Sequence, residues 1–313
     1  SVTLEEIDRT ADLSAVFADK WYGENNRKLW NALLAGRRFR TMRCNYYRER
    51  MEEEQEAQFG AVTFFPEGCE PVVAFRGTDD SVVGWKEDFN MSFISPVPSQ
   101  EDAVKYLNDT CSYIRGRLYV GGHSKGGNLA IYSAINCNKR VKKKIKCVYN
   151  NDGPGFDISV IKSEEYQSML PYIRSIVPEN SIVGMLLEHD DDYIIVKSSQ
   201  TGIMQHDAMS WQVSGPDMVT VRRLSAQSRR LNRAFSSWIS SVDNEKRCEF
   251  VETLFGLISS CGVKNLSDIS VDRFKSTREV IKQYANLDKD SRTLLRSMLL
   301  SLTDQIGKAR LEK

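Results

Sequence analysis

The stretch that most constrains the fold is residues 118–134, where an apolar segment runs into glycines and is followed by an Ala- and Leu-containing run. At its centre Ser124 stands between Gly122 and Gly126, in the spacing G-x-S-x-G. This pattern is typical of a nucleophile elbow, in which a serine occupies the tip of a sharp strand–turn–helix. Glycine is favoured on both sides because a side chain there would collide with the neighbouring strand or helix. The alternative is an ordinary Gly-rich turn.

Strand and helix patterns alternate on both sides of the elbow. Residues 72–75 form a short apolar run typical of a buried central strand, and residues 145–149 read as another strand. Between them, residues 101–115 carry apolar side chains at helical spacing. The alternation predicts an α/β-hydrolase fold, with a mostly parallel central sheet and helices on both faces.

Three regions follow from these patterns. Residues 1–57 look mostly helical and are predicted to pack on the core, although the charge-rich run 49–56 is expected to be a loop or helix end. Residues 58–215 carry the alternating pattern of the hydrolase core. Residues 216–313 are predicted to be a helical extension, either packed on the core or serving as a cap or homo-oligomer interface. Its helices are expected over residues 219–239, 245–260, 271–284 and 291–307.

Composition narrows the partners and the compartment. Lys+Arg 43 against Asp+Glu 42 gives a net charge of +1, which provides no global field to hold nucleic acid or an anionic membrane. No apolar stretch reaches the ~20 residues that a membrane-spanning helix needs. The seven cysteines lack C-x-x-C pairs, so no zinc site is predicted, and no cofactor is expected. Reduced thiols and the lack of a signal-peptide pattern at the start favour a cytoplasmic protein.

Three histidines are candidates for a general base. His123 adjoins the serine and is expected to point away from the active face, whereas His189 lies beside a dense acidic run. His206 lies in a polar loop after the last predicted strand. The usual chain order in this fold is nucleophile, acid, base, which favours His206, with His189 as runner-up. The non-catalytic alternative is a loop histidine bonded to Asp207.

The acid is predicted from strand geometry. Catalytic groups lie at the carboxyl ends of parallel strands, and Asp152 follows the strand predicted at 145–149. Asp152 is therefore the preferred acid, and the alternative is an ordinary Asn-Asp-Gly turn. Other candidates at later strand ends and loops are Glu179, Ser181, Glu188 and the run Asp190–Asp192.

An oxyanion hole requires two backbone N–H groups. One belongs to the residue after the nucleophile, Lys125, and the other comes from a loop after an earlier strand. The loop at residues 76–78 is placed for this role, because Gly77 allows close approach of the backbone and Thr78 offers an N–H and a hydroxyl group. Arg76 also has a structural interpretation, pairing with an acid to pin the loop.

Phe75-Arg76-Gly77-Thr78, followed by Trp85 and Asp88 and then by the elbow, resembles the class 3 (fungal-type) lipases of the α/β-hydrolase superfamily. In that family the F-R-G-[ST] loop supplies an oxyanion donor and the W-x-x-D segment forms or adjoins the lid. The sequence is similar also to uncharacterised lipase-like bacterial proteins that share G-H-S-K-G-G-N, N-D-G-P-G-F, S-I-V-G-M-L and Q-H-D. The resemblance covers about residues 1–220.

Two positions depart from the class 3 pattern. Those lipases usually have Leu after the serine, where this chain has Lys125. They carry the acid in a D-x-V-P motif, where this chain has Ser181 in the acid's place. The second departure favours Asp152, an arrangement that resembles the pancreatic-type lipases, in which the acid follows the next strand.

The resemblance and the residues together predict a serine hydrolase of lipase or esterase type. It would cleave a carboxylic ester or thioester of a small or lipid-like molecule through an acyl-enzyme on Ser124. The competing hypothesis is a hydrolase fold kept as a non-catalytic binding or scaffold protein, which the absence of the usual acid favours.

Overall fold

The computed structural model describes residues 1–18, 22–79, 81–190, 192–263, 265 and 273–311. The strands are β1 (Val2–Thr3), β2 (Arg43–Glu52), β3 (Ala57–Phe65), β4 (Val72–Phe75), β5 (Leu118–His123), β6 (Ile145–Asn151), β7 (Ile173–Pro178), β8 (Tyr193–Val196), β9 (Val213–Ser214), β10 (Asp217–Met218) and β11 (Thr220–Val221). The helices are α1 (Leu4–Thr10), α2 (Ser14–Phe17), α3 (Gly23–Ala35), α4 (Arg37–Arg40), α5 (Val82–Asn90), α6 (Pro98–Thr110), α7 (Lys125–Asn136), α8 (Lys139–Lys142), α9 (Ile158–Ile161), α10 (Glu164–Met169), α11 (Ala226–Ser241), α12 (Asn244–Ser260), α13 (Arg273–Asn286) and α14 (Lys289–Leu311). Short 3₁₀ segments are Leu170–Tyr172, Val183–Met185, Gly202–His206 and Ala208–Ser210.

Nine of the described strands form one sheet in the order β1-β2-β3-β4-β5-β6-β7-β8-β11, and β9 and β10 form a separate hairpin. The four neighbouring pairs from β4 to β8 are parallel, and the other four pairs of the large sheet are antiparallel. The expectation of a mostly parallel sheet is therefore not confirmed. Short connections join β2 to β3 and β3 to β4, and such connections allow only antiparallel pairing.

The main core lies on one face of the sheet. Helices α6 and α7 pack there, over inward-facing side chains such as Leu118 and Val120, which are fully buried. The hydrophobic positions of α7, including Leu129, complete this core. The strand that carries the elbow, β5, lies between β4 and β6, so the serine at its end is near the middle of the sheet.

The opposite face of the central strands is only partly covered. The row Val62, Ala74, Gly121 and Tyr149 runs across it, and Tyr149 is 39% exposed. Among the described helices, α1 to α4 pack mainly on one another and beside β1 and do not spread across this face. The expectation of helices on both faces is thus not confirmed.

The predicted N-terminal helical segment is wrong for residues 43–52, which form β2, and the charge-rich run divides between β2 and the turn that follows it. A bulge between Asn45 and Arg48 interrupts the register of β2. β1 covers only Arg43 and Cys44 of β2, so the charged residues farther along β2 lie at an open edge of the sheet, where they discourage edge-to-edge pairing. These two features remove the apolar alternation that would have indicated a strand.

The C-terminal region is also not entirely helical, because β10 and β11 lie within it and Thr220–Val221 pairs with β8. Two-residue strands carry no periodicity that a sequence could reveal. The four long helices that follow form a second core around Phe250, Phe255 and Met298, which also includes Val82 of α5. The C-terminal helices therefore pack on α5. No helix of the described chain is long and apolar enough to cross a membrane.

Candidate active site

Ser124 stands at the junction of β5 and α7 with φ 57° and ψ −132°. Positive φ is strained for a non-glycine residue, and it directs the side chain out of a tight turn. A Cβ atom on Gly122 would lie 2.3 Å from the carbonyl group of Gly126, and one on Gly126 would lie 2.3 Å from the Phe75 oxygen. The Ser124 N–H donates to the Asn151 oxygen at 2.9 Å. This is the geometry of a nucleophile elbow.

The predicted base and acid lie in direct contact. His206 Nδ1 donates to Asp152 Oδ2 at 2.7 Å. Asp152 is completely buried at the end of β6, whereas the His206 side chain keeps 20% exposure. Because the carboxylate accepts the Nδ1 proton, the neutral ring presents a free acceptor at Nε2. The His206 ring is thus bonded to Asp152, and not to Asp207 as in the non-catalytic alternative; the Asp207 carboxylate accepts the Met209 N–H.

The second carboxylate oxygen of Asp152 accepts a hydrogen bond from Ser181, the residue at the position where class 3 lipases usually carry the acid. Ser181 Oγ donates to Asp152 Oδ1 at 2.5 Å. Gly184 leaves room for this carboxylate, because a Cβ atom there would lie 2.3 Å from Asp152 Oδ1. Both carboxylate oxygens therefore have donors, which fixes the orientation of the group.

The loop that carries Asp152 is tied to the elbow helix. Asn128 Nδ2 of α7 donates to the Pro154 oxygen at 3.1 Å and to the Gly155 oxygen at 2.9 Å. Asn150 Oδ1 accepts the Gly153 N–H at 2.9 Å. These side-chain amides satisfy the backbone of the buried loop and hold it against α7.

His123 lies beside the predicted base, His206, contrary to the expectation that it points away from the active face. Its ring centroid is 4.5 Å from that of His206, and its Nε2 lies 2.7 Å from the His206 backbone oxygen. Burial, followed by the charge of His206, lowers the pKa of His123 from 6.5 to about 4. Since a carbonyl oxygen only accepts, the neutral His123 carries its proton on Nε2.

The remaining candidates for base and acid lie elsewhere. The His189 ring packs against Tyr193 at 5.5 Å. Glu188 forms a backbone bridge with Phe156, and the Asp190 carboxylate accepts Gln167 Nε2 at 2.8 Å. The backbone N–H of Glu179 donates to Val196, and Asp192 is exposed. Asp191 lies outside the described residues.

The predicted oxyanion loop touches the elbow. A Cβ atom on Gly77 would lie 2.6 Å from the His123 oxygen and 3.3 Å from Ser124 Cβ. The next residue, Thr78, donates its hydroxyl group to Asp88 Oδ2 at 2.5 Å. That hydroxyl group is thus engaged, which leaves the Thr78 N–H as the expected donor.

Asp88 and Arg76 are two further charged side chains at the predicted oxyanion loop. Burial is the main cause that raises the pKa of Asp88, to about 6. The Arg76 guanidinium lies 2.8 Å from Glu49 Oε1 and 3.7 Å from Asp79 Oδ2. Arg76 therefore pairs with acids and pins the loop, as its structural interpretation predicted.

Lys125 provides the first backbone N–H of α7, a group that has no partner within its own helix. Its side chain is buried and forms an ion pair with Glu87 of α5, at 2.8 Å. Sequence reasoning missed Glu87, Ser181 as a partner of Asp152, and the contact of His123 with His206. The sequence feature that pointed to an acidic partner such as Glu87 was Lys125 itself, because a buried lysine requires an acidic partner.

Three further observations concern the surroundings of Ser124 and His206. Within the described residues, no hydrogen bond joins Ser124 Oγ to the His206 ring. Two clefts of about 680 and 450 Å³ are lined by Pro96 and by residues of β2, β3, α6 and α7, and neither lining includes Ser124, Asp152 or His206. The described part of the chain holds no group of three metal-ligating side chains.

The parallel centre of the sheet, the sharp turn at Ser124 and the His206–Asp152 pair beyond the strand ends are features of an α/β-hydrolase fold. More specifically, the chain belongs to the Mbeg1-like family, which matches residues 33–256.

Three solved lipase structures align with part of the chain. A deletion mutant of Rhizomucor miehei lipase in complex with its propeptide aligns with a TM-score of 0.41 and 16% identity, over 53% of this chain and 66% of that one. M37 lipase aligns with a TM-score of 0.37 and 18% identity, over 59% and 70%. A fungal lipase–inhibitor complex aligns with a TM-score of 0.38 and 15% identity, over 50% and 67%. No curated protein matches the sequence.

Proposed function

We propose that this protein is a serine hydrolase of lipase or esterase type that cleaves a carboxylic ester or thioester. The observation that carries the proposal is the 2.7 Å contact between His206 Nδ1 and the buried Asp152 carboxylate, next to the strained turn at Ser124. A histidine held in this tautomer has a free Nε2, which is what a general base for a serine requires.

The proposed reaction proceeds through an acyl-enzyme. Ser124 Oγ attacks the carbonyl carbon while His206 Nε2 takes its proton, and Asp152 stabilises the imidazolium that forms. The N–H groups of Thr78 and Lys125 bind the oxyanion. His206 then gives the proton to the leaving alcohol or thiol, and water attacks the acyl-enzyme by the same route in reverse. The missing Ser124–His206 hydrogen bond is compatible with this scheme, because such bonds often tighten only when substrate is bound.

The proposed substrate is a small ester or a lipid-like molecule. The cysteines of the described chain are all unpaired thiols, which supports the proposal of a reducing, cytoplasmic environment. A homo-oligomer through the C-terminal helices stays a proposal, which light scattering after size-exclusion chromatography tests directly.

The first experiment replaces the nucleophile. Ser124→Ala should abolish hydrolysis of p-nitrophenyl acetate and butyrate while the circular dichroism spectrum and melting temperature stay close to those of the wild type. Ser133→Ala, at a buried serine of the same helix, is the matched control and should retain turnover. Undiminished turnover in Ser124→Ala would contradict the proposal.

A fluorophosphonate probe separates the enzyme from the competing scaffold hypothesis. Stoichiometric labelling of Ser124 that is lost in His206→Ala supports the enzyme, because only an activated serine reacts. A wild-type protein that takes up no label, although folded, supports a hydrolase fold retained for binding.

A further inference from the structure

The residue after the nucleophile has a side chain that points into the protein. Lys125 is only 1% exposed. Its Nζ donates to Glu87 Oε2 at 2.8 Å and to the Gln58 backbone oxygen at 2.7 Å. The side chains of Lys125 and Glu87 are both completely buried. Glu87 and the Gln58 backbone oxygen thus anchor the far end of the Lys125 side chain with two charge-assisted hydrogen bonds.

Glu87 of α5 connects this lysine to two further elements, β3 and α6. Its Oε2 also accepts the Gln58 N–H of β3 at 3.1 Å, and its Oε1 accepts the Ser99 N–H of α6 at 2.8 Å. One carboxylate of α5 therefore holds β3, α6 and α7 together. With three donors around it, the buried charge is well solvated by the protein.

Stability alone is a weak reason for such a pair. Removing two charges from water is costly, and replacing a buried ion pair by neutral side chains of similar volume is often neutral or stabilising. The location of the pair suggests another role. The Lys125 backbone N–H immediately follows Ser124, whose φ of 57° strains the turn. A lysine fixed at the end of its side chain restrains its own backbone and so limits relaxation of that turn.

The same cluster reaches the second proposed donor. Gln58 Nε2 donates to the Gly77 oxygen at 3.5 Å, and Gly77 immediately precedes Thr78. A Cβ atom on Gly84 of α5 would lie 2.9 Å from Thr78 Cγ2, so α5 packs closely against this residue as well. Glu87, Lys125 and Gln58 are thus connected to both sides of the proposed oxyanion hole.

We propose that Glu87 is a positioning residue, which acts through the Lys125 side chain to hold the oxyanion donors beside Ser124. This inference rests on the proposed function. It assigns a role to a buried carboxylate that takes no part in the proton transfers.

The test is the double variant Lys125→Met/Glu87→Gln, which removes both charges and keeps the Lys125 backbone N–H. Glutamine keeps one acceptor oxygen where Glu87 has two, so either the Gln58 or the Ser99 N–H loses its acceptor and the melting temperature should fall moderately. The kcat for p-nitrophenyl butyrate should fall about tenfold or more with KM within about twofold, because the loss falls on the transition state. The rate of fluorophosphonate labelling should fall in parallel. An unchanged kcat and labelling rate in the folded double variant would overturn the inference.

The matched control is Lys146→Met/Glu70→Gln, which removes the same pair of residue types at a partly exposed 2.7 Å ion pair. Its kcat should equal that of the wild type. Should the double variant not fold, Glu87→Asp keeps the charge and withdraws the carboxylate from Lys125. The same loss of kcat at constant KM is expected, and a wild-type kcat would overturn the inference. A wild type that neither turns over substrate nor takes the label would instead refute the proposed function itself.

Discussion

The His123 ring lies against the His206 ring with centroids 4.5 Å apart, and His123 Nε2 donates to the His206 backbone oxygen at 2.7 Å. One end of this contact belongs to the elbow and the other to the loop of the proposed base. Trp211 packs edge-on against His123 at 6.4 Å and donates its indole N–H to the Gln205 oxygen. His123 therefore fastens the loop of the proposed base, His206, to the strand that ends at the proposed nucleophile, Ser124.

Replacing His123 should change how stability depends on pH. Burial lowers its pKa to about 4, whereas an unfolded histidine titrates near 6.5. Between these values the unfolded state binds the additional proton, so the free energy of unfolding falls as pH falls through this window. The contribution amounts to about 3 kcal/mol at most. Urea unfolding of the wild type and of His123→Gln at about pH 7 and about pH 4.5 should show the larger loss in the wild type.

Asp88 acts in the opposite sense over part of the same window. Its pKa, raised by burial to about 6, means that the folded state binds the additional proton between about pH 6 and its ordinary value of 3.8. The contribution of Asp88 to the free energy of unfolding therefore increases as pH falls. Asp88 is present in both proteins, so the difference between wild type and His123→Gln in the pH dependence of the free energy of unfolding isolates the contribution of His123. Equal losses of unfolding free energy in the two proteins would contradict the prediction.

Asp152→Asn tests the identity of the acid. An asparagine retains the shape but favours the wrong tautomer of His206, so kcat should fall by about 10³- to 10⁴-fold. The matched control is Asp190→Asn, at an exposed carboxylate that accepts Gln167 Nε2, and its kcat should stay unchanged. Steady-state kinetics with p-nitrophenyl butyrate checks both. A large loss in Asp190→Asn with little loss in Asp152→Asn would move the acid to the acidic run.

Gly77→Ala tests the close approach of the oxyanion loop. The new Cβ atom would lie 2.6 Å from the His123 oxygen, so the loop must shift away from Ser124. We expect a lower melting temperature and a kcat reduced by about 10- to 100-fold, since displacing one donor weakens oxyanion binding. Gly256→Ala, in α12 with open space around it, should stabilise the protein by about 0.5–1 kcal/mol and leave kcat unchanged. Wild-type kcat in Gly77→Ala would exclude this loop from the site.

Ser181→Ala tests the second hydrogen bond to the acid. The variant leaves Asp152 Oδ1 buried without its donor, which should lower the free energy of unfolding by about 1–3 kcal/mol. The kcat should fall severalfold because the carboxylate is less well oriented toward His206. Ser133→Ala, whose hydroxyl group bonds only within α7, is the control and should change both quantities little. Equal effects in the two variants would assign Ser181 no special role.

Much of the fold was predictable where the sequence pattern is local. The strand–turn–helix at Ser124 and the strand that ends before Asp152 both follow from short runs of residue types, and the structure has them at β5, α7 and β6. The strand β2 was not predictable, because its charged residues and its bulge give no alternation. Local sequence patterns also could not predict how far helices cover the second face of the sheet.

The sequence by itself determined the chain order of Ser124, Asp152 and His206 and the glycines that the elbow requires, because each depends on residues within one turn or at one strand end. Only the tertiary structure decided which partners those residues take. Ser181 and Asp152 are 29 positions apart, and Glu87 and Lys125 are 38 positions apart. Contacts over such separations are set by the order of the strands and by the packing of helices such as α5 against β3. The partners of a buried carboxylate such as Asp152 or Glu87 therefore cannot be predicted from the spacing of residues in the local sequence.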